Sequence, residues 1–484
     1  MDPISSALDL AIELPAHGSR RVGRDLHRQL RSAIVGGRLR AGLRLPSTRD
    51  LATALGVSRN TVVAAYDLLL SEGYVSARGR AGTLVADFLT PSRSEHSRAG
   101  AGRDTRLNQP WRGPPPLITT GVRDDCRFDF SVGVPEWNAF PHSVWRRLSA
   151  RALLRAARAR SSYGNPQGSA ALREAIARHI SFARAIASHA DEIVVTAGAQ
   201  QAFDLLARIL VTPGRTTVAV EKPGYPPLAN VLNVAGAKIA PIPVDNEGLR
   251  VERLPRDAKV ICVTPSHQFP LGVHLSLARR RALLDFARTH GAVIIEDDYD
   301  GEFRHGAKPL DALQTLDRSQ TVFYVGTFSK SLFPALRLGF VIAPSWARDS
   351  LVAAKQSSDW AAPAVAQDVL AAFIAEGHLA RHVRKMRRLY SERREILHDA
   401  LKRYCGGKLR VVGIGAGLHL AAFVNGSVSG TTLVERAREA GVWLDDVKRS
   451  GGADGKSDVV VFGYGAIDSR HIEEAVRKLA RLIR

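Results

Sequence analysis

"VGTFSKSLFPALRLGF", Val325 to Phe340, decides how the long C-terminal part of this 484-residue chain folds. It joins the end of one apolar run, "TVFYVGT" (Thr321–Thr327), to the start of another, "LGFVIAP" (Leu338–Pro344), and the interruption between them carries Lys330 and Arg337. Short apolar runs bounded by turn residues read as buried strands. Upstream lie "EIVVTAG" (Glu192–Gly198), "TTVAVE" (Thr216–Glu221), "VICVTP" (Val260–Pro265) and "AVIIEDDYD" (Ala292–Asp300). Helical patterns such as "SVWRRLSARALLRAARA" and "SAALREAIARHISFARA" accompany them. The alternation predicts an α/β fold with a mainly parallel sheet covered on both faces. The lysine itself is a chemical clue. Its amine can lose a proton and attack an aldehyde, whereas a guanidinium stays charged.

The totals set bounds on the class of protein. At 45% hydrophobic residues the chain can bury a large core across two or three domains. Cys126, Cys262 and Cys405 lie far apart, without disulfide or zinc spacing, and a reducing cytoplasm is expected. The N-terminus lacks a basic start followed by an apolar core, and Val411–Val434, the longest stretch free of Asp, Glu, Lys and Arg, is broken by Gly, Ser, Thr and Asn. No export and no membrane span are therefore expected. A net charge of +21 favours a polyanionic partner, although a base-composition bias toward arginine would produce the same excess.

Boundaries follow from composition. Residues 19–87 read as a small basic unit, 88–122 as a flexible linker rich in Ser, Gly, Arg and Pro, and 123–484 as the large α/β part. Within the last, about 123–370 form the larger portion. About 371–484 form a smaller α+β portion, with strands expected in "LRVVGIGAGLHLAAFV" and "DVVVFGYGAI".

The basic unit has its own logic. Leu26, Leu30, Ala33 and Ile34 are spaced along one helix face that stops at Gly36-Gly37. Ser47 can cap a second helix ending at Gly56, and Ser58 a third, so Leu55–Ser58 is the tight turn of a helix-turn-helix. Ser58, Arg59, Asn60 and Thr61 then fall on the exposed first turn of the third helix, within reach of bases or phosphates. "GYVSARGRAGTLVA" (Gly73–Ala86) reads as two strands around a wing tip, with Arg78 and Arg80 aimed at phosphates. Twelve arginines face five acids between Arg20 and Asp87, which favours double-stranded DNA over a protein-interaction role.

In the large part, "EKPGYPPL", "VTPSHQFPLG", "IIEDDYDGEF" and "TFSKSLFPALRLGF" each stand where a strand ends. Ligands of parallel α/β sheets bind at those ends, so one crevice would hold an amine, an acid, aromatic rings and an anion site. That set suits pyridoxal 5'-phosphate: Lys330 for a Schiff base, Asp297 for the pyridinium nitrogen, Tyr299 for the ring hydroxyl, Tyr225 stacked on the ring, and Arg337, Ser329 and Thr327 on the phosphate. "TAGAQQAFDLLARIL" adds free helix-start amides near Ala199 and Gln200. The competing reading of Glu296-Asp297-Asp298 as a hard-metal site lacks a phosphate-loop lysine motif.

"GLRLPSTRDLATALGVSRNTVVAAYDLLLSEGY" (Gly42–Tyr74) resembles the winged helix-turn-helix of GntR-type regulators, and the motifs of the large part resemble fold-type I aminotransferases. Their fusion resembles the MocR subfamily. The resemblance implies DNA contact by Arg49, Ser58, Arg59, Thr61 and the wing around Gly82. It implies a head-to-tail homodimer in which Tyr163 reaches the neighbouring subunit's phosphate, and it places His267 and Gln268 where aminotransferases have an asparagine beside the ring. Relatives that bind an amino-acid carboxylate carry arginines in stretches that read "GYPPLAN" and "VVVFGYGAIDS" here, with none. The expected function is a transcriptional regulator whose body senses pyridoxal phosphate or its adduct with an amine. A working aminotransferase carrying a DNA-binding head is the second reading.

Overall fold

The computed structural model describes residues 12, 22–77, 82–86, 106–112, 126–158, 163–304, 311–413, 415–425, 428–446 and 458–483. Two compact units emerge, Met1–Asp104 and Thr105–Arg484.

The first unit holds helices α1 (Val22–Val35), α2 (Thr48–Leu55) and α3 (Arg59–Ser71) and strands β1 (Val75–Ala77) and β2 (Thr83–Val85). Leu26, Leu30, Leu51, Val62, Ala65 and Leu69 share one core. Ser47 caps α2 by accepting from the Asp50 amide, and Gly56 ends it in the left-handed conformation at φ 64°. Ser58 caps α3 by accepting from the Thr61 amide. The two strands pair antiparallel, Val75 opposite Val85 and Ala77 opposite Thr83. This is the winged helix-turn-helix expected from the sequence; Arg78 and Arg80 lie outside the described residues, as does most of the 88–122 segment.

The second unit starts with β3 (Phe128–Asp129), α4 (His142–Arg158) and α5 (Ala170–Arg184). There follow β4 (Ile193–Thr196), α6 (Ala199–Leu210), β5 (Thr217–Lys222), α7 (Pro226–Val234), β6 (Lys238–Asp245), β7 (Gly248–Leu249), β8 (Ala258–Val263), α8 (Leu277–His290), β9 (Val293–Asp298), α9 (Leu313–Leu316), β10 (Val322–Thr327) and β11 (Gly339–Ile342). Strands β4 to β11 form one sheet in the order β4-β11-β10-β9-β8-β5-β6-β7. Its centre is parallel, as the continuous apolar runs require, because helices cover both faces and leave no polar side to alternate. Strand β11 departs from that pattern and runs antiparallel to both β10 and β4. The reason is length: Phe328–Leu338 is too short for the crossover that a parallel return needs. Strand β6 was not foreseen, because Pro241 and Pro243 argue against a ladder position; it stands next to the two-residue edge strand β7.

Helices α10 (Arg348–Asp359), α11 (Ala364–Ala375) and α12 (His378–Cys405) lead to a second sheet. It contains β12 (Leu409–Val412), β13 (His419–Val424), β15 (Asp445–Asp446) and β16 (Val459–Gly463), all antiparallel. Helix α13 (Gly430–Glu439) precedes β14 (Val442–Trp443), which pairs with β3, and α14 (Ser469–Ala480) packs on α12. The sequence reading had placed two of these strand regions and missed β14 and β15, which are only two residues long.

Candidate functional site

The ends of β4, β5, β8, β9 and β10 open on one cavity of about 1450 Å³. Its lining includes Ala199, Gln200, Tyr225, Phe269, Asp297, Tyr299, Thr327, Ser329, Lys330 and Arg337, so the predicted loops do converge. Along β9 the alternation of side chains separates three adjacent carboxylates. Glu296 turns away and accepts the Leu313 and Gln314 amides at the start of α9. Asp298 pairs with Arg184 at 2.6 Å and accepts from the Tyr324 hydroxyl at 2.5 Å. Asp297 alone faces the cavity, and its Oδ1 is buried without a hydrogen-bond partner.

That orphaned oxygen is the test of fit for a cofactor. Burial, reinforced by Asp298, Asp300 and Glu221, raises the Asp297 carboxyl well above the usual range. A carboxylate in such a place is stabilised by a cationic N–H, which a pyridinium nitrogen provides. Lys330 stands on the opposite side of the chemistry: burial lowers its ammonium pKa, against the attraction of Asp300 and Asp297, which favours the nucleophilic neutral amine. Its Nζ donates to the Gly133 carbonyl at 2.7 Å. Glycine favours that approach, because at φ +75° a side chain is strained and a Cβ would come within 2.6 Å of Nζ and push the amine aside.

The anion end is built from two loops. Helix α6 starts at Gly198 with no side-chain cap, so its first amides are left for a ligand. Arg337, itself left-handed at φ 49°, donates to the Ala197 carbonyl at 3.0 Å, and a Cβ on Gly198 would meet its guanidinium at 3.0 Å. Ser329 and Thr327 are hydrogen-bonded to each other at 3.0 Å. Tyr225 forms the N-cap of α7, and its ring stands 5.5 Å from Phe269.

His267 and Gln268, expected beside the cofactor ring, do not line the cavity; they are 2% and 1% exposed behind its wall. Gln268 is consumed in joining loops, donating to the Pro223 and Phe269 carbonyls and accepting from Leu271. Phe269 takes the wall position instead, 6.2 Å from the Tyr299 ring. A residue count along the loop could not tell which of three neighbours turns inward. Sequence reasoning also missed Gly133, His419 and Val461, all on the lining. Val461 and Pro227 represent the two stretches in which arginine was sought, and Arg470 is instead bonded to Asp468 at the start of α14. Tyr163 is on the surface, 83% exposed, with its ring 5.2 Å from Trp360.

In the first unit Arg49, Ser58, Arg59 and Asn60 are exposed and Thr61 half-buried. Ser58 and Thr61 hydroxyls are 2.8 Å apart, and Arg59 reaches back to Thr48 at 3.4 Å. Gly82 holds φ +84°, and a Cβ there would touch the Arg44 guanidinium at 3.0 Å. Arg44, one of the twelve arginines counted above though not singled out there, pairs its backbone with Leu84 on the wing and is exposed beside Gly82.

Fold and site together define a winged-helix head joined to an aminotransferase-like body. The sequence model for "Aminotransferase class I and II" matches residues 128–446, and that for "Bacterial regulatory proteins, gntR family" matches residues 23–85. The probable rhizopine catabolism regulatory protein MocR of Rhizobium meliloti is 36% identical over 98% of this chain and 94% of its own. The pyridoxine biosynthesis transcriptional regulator PdxR of Corynebacterium glutamicum is 35% identical over 95% of each. Among solved structures, Pyrococcus horikoshii kynurenine aminotransferase in complex with PMP superposes with a TM-score of 0.69 at 27% identity, covering 74% of this chain and 91% of that one. The chain belongs to the MocR subfamily of GntR-type transcriptional regulators. Among the described residues no helix is long and apolar enough to cross a membrane.

Proposed function

We propose that the body binds pyridoxal 5'-phosphate and acts as the sensor that governs how the winged-helix heads hold operator DNA. The observation that carries this reading is the meeting, on one cavity, of the half-buried Lys330 amine with the Asp297 carboxyl, whose Oδ1 has no hydrogen-bond partner. Bound there, the cofactor supplies an aldehyde that condenses with a primary amine. Lys330 offers that amine, Asp297 receives the ring nitrogen, Tyr299 donates to the ring hydroxyl and Tyr225 covers the ring face. The amides at Ala199 and Gln200, with Thr327, Ser329 and Arg337, hold the phosphate. PdxR is named for pyridoxine biosynthesis, and solved relatives of the body carry PMP or a phosphopyridoxyl amino acid, which supports the same chemistry here.

The effector is then pyridoxal phosphate itself or its adduct with an amine. The lining carries Arg337 and Arg208, but the two stretches that would supply a carboxylate clamp contribute Pro227 and Val461 instead of arginine, which argues against such a clamp and for vitamin B6 as the signal. The proposed homodimer, head to tail, would give a cover to Phe182, Tyr163, Leu154 and Leu153, which expose 94%, 83%, 63% and 57% of their surface. We place the boundaries at 19–87 for the head, 88–122 for the linker and 123–484 for the body, and the protein in the cytoplasm on nucleoid DNA. In DNA binding, Arg49, Ser58, Arg59, Asn60, Thr61, Arg78, Arg80 and Gly82 contact the duplex.

The test is spectroscopic. Full-length protein mixed with pyridoxal phosphate gains a visible absorption band that Lys330→Ala abolishes; a band that persists in the variant refutes the assignment.

A further inference from the structure

The hydroxyl of Tyr299 is the polar group next to Phe269 on the cavity wall, and what stands behind it decides where its hydrogen points. Its oxygen lies 2.9 Å from His267 Nδ1, and the same nitrogen lies 2.8 Å from Asp300 Oδ2. His267 and Asp300 are 2% and 1% exposed, so water does not replace either partner. The pair is walled in: a Cβ on Gly417 would come within 2.0 Å of the imidazole and 2.5 Å of the Asp300 carboxylate.

One ring nitrogen either carries a hydrogen or offers one lone pair. Whether the hydrogen between Nδ1 and Oδ2 rests on the imidazole or on the carboxyl, the bonding capacity of Nδ1 is spent on Asp300. Tyr299 then cannot donate to His267. We propose that His267 and Asp300 are positioning residues: Asp300 occupies His267 Nδ1 and so directs the Tyr299 hydroxyl hydrogen into the cavity, toward the ring oxygen of the cofactor. This rests on the cofactor reading above. Burial holds His267 at about 3 and pushes Asp300 up to about 8, so one shared hydrogen is the expected state near neutrality. Other titratable groups face the pair: His274, Arg304 and His419 toward His267, and His419, His274, Arg304, Asp297, Asp298, Glu302, Lys330 and Tyr464 toward Asp300.

A hydroxyl donating to the ring oxygen withdraws negative charge from it and weakens its hold on the proton it shares with the Lys330 nitrogen. The pH midpoint of the visible band is therefore low while Tyr299 donates. Full-length protein loaded with pyridoxal phosphate is titrated from about pH 6 to about pH 9 and the band followed. Tyr299→Phe raises the midpoint by about one unit. Asp300→Ala, which frees Nδ1 to accept the Tyr299 hydrogen, raises it by a similar amount; Asp300→Leu fills the space if the alanine variant does not fold. Asp300→Asn, whose amide can still donate to Nδ1, restores the wild-type midpoint, and adding His267→Phe to Asp300→Ala removes the competing acceptor and also restores it. A loss of packing alone would not be repaired by a second substitution. An unmoved midpoint in Asp300→Ala and Asp300→Leu, or in Tyr299→Phe, overturns the inference while leaving the cofactor assignment intact. Failure of the wild type to form the band overturns the cofactor assignment itself.

Discussion

Asp297 stands where a carboxylate is costly, in full burial and among other acids, and Lys330 stands where an ammonium is costly. Neither would be retained for packing. Asp297→Asn keeps the shape and removes the charge, so the apoprotein should be at least as stable as the wild type. Its affinity for pyridoxal phosphate should fall about 10- to 100-fold, the worth of one charge-assisted hydrogen bond of about 1.5–3 kcal/mol. Equal affinity, measured by titrating the visible band, would remove Asp297 from the site. Lys330, Asp297 and Tyr299 were legible in the sequence because their chemistry is unusual and each ends an apolar run. Phe269 was not, since a phenylalanine in a loop carries no chemical signal and His267 and Gln268 carry a misleading one. Only the turn of the backbone assigns the wall to the apolar ring and the polar pair to the layer behind it.

Among elements, α3 shows how local rules suffice. Ser58 caps it, Gly56 takes the left-handed position before it, and its first turn is left exposed. Gly56→Ala should destabilise the head by about 1–2 kcal/mol, the cost of a Cβ in that conformation, read as a lower melting transition. Arg59→Ala should weaken operator binding about 10-fold or more, as loss of a base or phosphate contact of about 1–3 kcal/mol predicts, and leave the visible band untouched. Operator affinity equal to the wild type's would take α3 out of the DNA interface. Strand β11 illustrates the opposite case. Its apolar run announces a strand but not its direction, which comes from the shortness of Phe328–Leu338, and that reversal is what returns Arg337 beside Gly198.

For the whole molecule, the +21 net charge acts at long range and the cavity at short range. If the head's arginines meet some six to ten phosphates in the operator complex, DNA affinity should fall about 10³-fold or more between 50 and 200 mM salt. A salt-independent affinity would mean that the arginines are not at the phosphates. The sequence by itself determined the order of units, the winged helix and the amine-and-acid pair, because caps, periodicity and reactive residue types act over a few neighbours. The tertiary structure alone decided which loop residues face the cavity, that β11 inserts between β10 and β4, and that His267, Asp300 and Tyr299 share one nitrogen. Those outcomes depend on segments far apart in the chain being packed together, and no local pattern records which of a strand-end loop's side chains the opposite wall will leave room for.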